Sequence, residues 1–68
     1  MKRGTKEFYE VKSEFEKGVK AGLFGYLPRR DLTEDDSMPF IFYQNAEVNI
    51  AFRAFAAGYA VAKCEYQQ

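Results

Sequence analysis

Apolar residues recur at helical spacing in two stretches of this chain. The longer stretch runs through Ala51-Phe-Arg-Ala-Phe-Ala-Ala-Gly-Tyr-Ala-Val-Ala62. Val48, Phe52, Phe55, Tyr59, Ala62 and Tyr66 follow one another at steps of 4, 3, 4, 3 and 4, which places them on one face of an α-helix. A second row, Ile50, Ala54, Ala57, Val61 and Cys64, has the same spacing beside it. A helix with one apolar stripe lies on a core, whereas a helix with two needs cover on two sides. Asn45 has the chemistry of an N-cap, and Glu47 suits the positive end of the helix dipole. The spacing therefore predicts a helix over about 45–65.

The first stretch is amphipathic. Thr5 is a candidate N-cap with Glu7 in the first turn. Phe8, Val11, Phe15, Gly18, Val19 and Gly22 form the apolar face of a helix predicted over about 5–24. Its outer face carries Lys6, Glu10, Lys17 and Lys20, and Glu16 is expected to pair with Lys20 one turn on. Gly18 and Gly22 each disfavour helix by about 1 kcal/mol against alanine. Their spacing predicts close approach of the second helix, with Gly25 as the terminator beyond it.

Residues 25–44 are the predicted connector. Pro28-Arg-Arg-Asp31 breaks the first helix. Thr33-Glu-Asp-Asp36 is expected as a solvated loop or a single helical turn before Pro39. Pro39-Phe-Ile-Phe-Tyr43 fits a short extended piece tucked against the helices or the first turn of the second helix; the tucked piece is the expectation, with no second strand signal to pair with it. The expected fold is all-α: one small domain of two antiparallel helices joined by a long connector. The second stripe predicts that two copies pair into a dimeric helical bundle.

Composition narrows the function. In 68 residues there is one cysteine and no histidine, so an internal disulfide is excluded and a zinc site is not expected. The acidic run Glu34, Asp35, Asp36 lacks the alternating ligands and central glycine of a calcium loop. No histidine is present for general-base work, Cys64 sits on an apolar row as a small core residue would, and no glycine-rich phosphate loop occurs. No catalytic residue, cofactor, metal or small-molecule substrate is therefore expected, and an enzyme is disfavoured. Ten basic and ten acidic residues cancel, unlike a strongly basic nucleic-acid binder. No secretory pattern follows Met1-Lys-Arg3, and the apolar stretch is too short to span a bilayer and contains Arg53. The expectation is a cytoplasmic protein with no membrane partner. Twelve aromatic residues, seven Phe and five Tyr, supply a core and interface anchors. Phe40, Phe42 and Tyr43 are the candidate protein interface.

Two glycine patterns resemble one family. Gly18-Val-Lys-Ala21-Gly22-Leu-Phe-Gly25 is similar to the Gly-x-x-Ala-Gly-x-x-Gly segment that ends the first helix of the ribosome modulation factor family. Pro39-Phe40 resembles that family's Pro-Tyr, and Phe55-Ala-Ala-Gly58-Tyr59 resembles its Trp-x-x-Gly-Trp. The match runs from about Phe15 to Lys63, with a longer connector and a neutral charge. The resemblance implies a small, non-enzymatic factor that binds the small ribosomal subunit and modulates translation, or a plasmid or phage relative with another role. Lys17, Lys20, Arg29 and Arg30 are then the candidate contacts to ribosomal RNA phosphates. Gly18, Gly22, Phe55, Gly58 and Tyr59 form the packing motif under either reading. The alternative is a phage- or plasmid-type module that binds a host protein through an aromatic helical surface.

Overall fold

The structure is a computed structural model that describes residues 4–25, 27 and 31–64 and the backbone of 65 and 66. Two helices make up its regular structure, α1 at Lys6–Lys20 and α2 at Ala46–Tyr66. No strand occurs among the described residues, so the chain is all-α.

Both helices start where their caps place them. The Thr5 hydroxyl accepts from the Phe8 amide at 3.2 Å, and the Asn45 Oδ1 accepts from the Val48 amide at 3.0 Å. Each side chain satisfies one of the amides that a helix start leaves without a partner.

α1 ends four residues earlier than the apolar spacing suggests. The Gly22 amide donates to the Val19 carbonyl at 3.1 Å and the Leu23 amide to Gly18 at 2.9 Å. With Gly22 at φ +82°, this is a Schellman ending with the glycine at C′. Gly22, not Gly25, is the terminator, and it lies outside the helix rather than within it. The Phe24 ring then folds back on the turn. A Cβ added at Gly18 would sit 2.8 Å from Phe24 Cε2. The close approach at Gly18 is thus to this ring and not to the second helix.

The core is Phe8, Val11, Phe15 and Val19 from α1, Val48, Ala51 and Phe52 from α2, and Leu27 and Tyr43 from the connector. Phe52 is its hub. Its ring meets Phe8, Phe15, Phe42 and Tyr43 at centroid separations of 5.1–6.1 Å, several of them edge to face. Such pairs add to the burial of apolar area that drives folding.

The connector holds the main departure from expectation. Residues 33–35 are neither helical nor a free loop. They pair with 42–44 through an antiparallel bridge between Glu34 and Tyr43. The Asp35 amide donates to the Phe42 carbonyl at 3.0 Å and the Gln44 amide to Thr33 at 2.9 Å. The tip is shaped locally. Asp35 Oδ1 accepts from the Ser37 amide at 2.8 Å and its hydroxyl at 2.6 Å. The Ile41 amide closes a turn onto Met38 at 3.2 Å, with Pro39 in the position that its fixed φ favours. Phe40 stands at this tip with 67% of its surface exposed.

Candidate interaction surface

Two groups of side chains fix the hairpin on the helices. The first is Asn49, buried in α2. Its Oδ1 accepts from the Phe42 amide at 2.7 Å and the Tyr43 amide at 3.2 Å. Its Nδ2 donates to the Phe40 carbonyl at 3.3 Å. One amide side chain thus bonds three backbone groups of the hairpin, the buried Tyr43 amide among them.

The second group is Lys12, Glu16, Glu34 and Tyr43. Lys12 Nζ lies 2.9 Å from Glu16 Oε2 and pairs with Glu34 across the gap to the hairpin. The Tyr43 hydroxyl donates to Glu16 Oε2 at 2.9 Å, and the Lys12 ammonium stands 6.0 Å from the Tyr43 ring centroid. Burial pulls the Lys12 pKa down, but hydrogen bonds to Glu34 and Glu16 and the charges of both outweigh it and hold the ammonium above its ordinary value. Burial pushes the Tyr43 phenol up, and the hydrogen bond to Glu16 with the charges of Glu16 and Glu34 pushes it further. Glu16 therefore serves Lys12 and Tyr43, not Lys20 as helix spacing alone suggests.

This arrangement splits the expected interface residues. Tyr43 is 1% exposed, so it is a core residue and not an interface anchor. Phe42 is half-buried against the core. Only Phe40 projects, with the Arg53 guanidinium 5.7 Å from its ring centroid.

The packing motif divides in the same way. Phe55 packs on Phe15 and Phe24 at 5.8 and 6.1 Å, and Tyr59 is half-buried beside Phe55. Gly58, expected at a crowded contact, is exposed, and a Cβ there would meet nothing within 4 Å. Of the candidate phosphate contacts, Lys17 and Lys20 are exposed in the last turn of α1, and Lys17 Nζ reaches Glu14 at 3.4 Å. Arg29 and Arg30 lie outside the described residues.

α2 presents the most unusual surface. Val48 and Phe52 of its first row are buried, and Phe55 and Tyr59 are half-buried. Its second row is uncovered: Ile50 is 65% and Val61 59% exposed, and Ala54, Ala57 and Cys64 are exposed as well. Cys64, expected as a core residue, is a free thiol at the surface. No helix among the described residues is long and apolar enough to cross a membrane.

Sequence reasoning missed Asn49 and Lys12. A polar residue next to Val48 in a helix otherwise so apolar was the available signal for Asn49. For Lys12 the i,i+4 spacing to Glu16 was the available local signal, while its pairing with Glu34 comes only through the hairpin.

Comparison with family models, curated proteins and solved structures finds no match to this chain.

Proposed function

We propose that this chain is a small, non-enzymatic binding protein that pairs with a second copy through the outer row of α2 and captures another macromolecule beside it. One observation carries the reading: α2 is apolar on two faces, and the chain's own fold covers only one. Contiguous exposed apolar surface of this kind marks interaction sites. The row also matches itself. Ile50 and Val61 flank Ala54 and Ala57, so a two-fold axis midway between the alanines lays each branched residue on the other in an antiparallel helical bundle. That is the self-complementarity an isologous interface needs, and the alanines let the two backbones come close. The formal net charge of zero removes long-range repulsion between copies.

A host protein is favoured over ribosomal RNA as the captured partner. Phe40 is exposed beside Arg53 of α2, which suits a protein anchor. The RNA reading keeps the support of Lys17 and Lys20, exposed together at the end of α1, but phosphate binding needs a denser cationic surface. Co-sedimentation with small ribosomal subunits at low salt separates the two. Absence of the protein from the subunit fraction is the expected result, together with capture of a protein partner that survives moderate salt and is lost in Phe40→Ala. Subunit association that falls as salt rises would overturn the protein reading.

A further inference from the structure

The flank of α2 next to the outer row carries its own groove. Phe42, Phe52, Arg53, Ala56, Ala57 and Ala60 line it, and Ala57 is shared with the outer row. Its volume of about 210 Å³ is below the roughly 300–1,000 Å³ of sites that enclose free small ligands. A groove of this size takes side chains from a partner. Phe40 adjoins it through its stacking on Arg53, and the three hydrogen bonds to Asn49 anchor the backbone that carries Phe40.

Among the described residues, Arg53 is the only charged one that lines the groove, and no carboxylate there pairs with it. A guanidinium held against an aromatic ring keeps its in-plane donors available for a carboxylate. We propose that the groove docks an acidic, hydrophobic segment of another protein, with a bulky apolar side chain seated over Phe42 and Phe52 and an Asp or Glu on Arg53. This rests on the binding reading above and names the partner's chemistry. Charge argues against a second copy in this groove. The two-fold pairing proposed for the outer row brings no carboxylate to Arg53, since Glu47 lies about 120° away around the helix.

The test is selection of peptides from a phage-displayed library of random 16-residue sequences on the folded protein and on Arg53→Glu. Arg53 is exposed, so the variant should keep the wild-type melting curve. Peptides selected on the wild type are expected to combine bulky apolar residues with Asp or Glu, and selection on Arg53→Glu should reverse the preference to Lys or Arg. Phe40→Ala should weaken the selected peptides by about tenfold, as loss of an aromatic anchor does. An empty selection on folded protein, peptides without acidic enrichment, or the same peptides on both proteins would overturn the proposal. Light scattering on the same samples reports pairing of copies independently, so failure of the groove and failure of the dimer are told apart.

Discussion

Gly22 and Gly58 look alike in the sequence, each a glycine in an apolar stretch, yet they do opposite things. Gly22 holds φ +82°, where any Cβ is strained by about 1–2 kcal/mol. Gly58 is a helical residue with open space where its Cβ would be, so it carries only the backbone entropy penalty of about 0.5–1 kcal/mol against alanine. Gly58→Ala is therefore expected to raise the melting temperature and Gly22→Ala to lower it, each by several degrees for a domain of this size. Shifts of the same sign would contradict this. The glycine spacing was legible, but not which glycine sat in the left-handed region, since that depends on which carbonyls, Gly18 and Val19, close the end of α1. Tyr43 gives a second test at this scale. Its proton is held more tightly in the folded state than in the unfolded one. Its contribution is fully present below the unfolded tyrosine pKa of about 10 and is lost as pH rises through the higher folded value. The raised pKa of Lys12 acts in the same direction. Thermal melts should fall in temperature above about pH 10, and Tyr43→Phe should flatten part of that fall. An unchanged slope in the variant would remove the linkage.

At the scale of elements, both helices were readable because caps and periodicity agree. Thr5 and Asn45 start them, and Phe8, Val11 and Phe15 face Phe52. The hairpin was not readable. Thr33-Glu-Asp-Asp36 has no strand pattern, and its pairing with 42–44 rests on Asn49 and Lys12, which are distant in sequence. Asn49→Leu keeps the branching of the side chain, with bulkier methyl ends, and removes the oxygen that accepts from the Phe42 and Tyr43 amides. Leaving a buried donor unpaired costs about 1–3 kcal/mol, a large share of the 5–15 kcal/mol typical of a domain. The melting temperature should drop, and hydrogen exchange at the amides of Phe42 and Tyr43 should accelerate more than in the middle of α1. Uniform acceleration across the chain would mean that Asn49 supports the whole core and not the hairpin in particular.

For the whole molecule, the apolar rows of α2 announced a helix with two faces to cover, and the fold shows one of them left open. That open face could not be assigned from the sequence, because the connector was long enough to have reached it; its residues 33–44 instead form the hairpin, with Phe42 and Tyr43 packed on Phe52. Val61 lies in the open row without support from the core, so Val61→Glu should leave the monomer folded while placing a charge in the proposed pairing surface, where an unpaired charge is strongly disfavoured.

Gel filtration with light scattering at micromolar concentration tests the central claim most directly. The wild type is expected near twice the 7.9 kDa chain mass, and Val61→Glu near the single-chain mass with a cooperative melt. A wild-type protein that stays at 7.9 kDa across that range would contradict pairing through the outer row of α2.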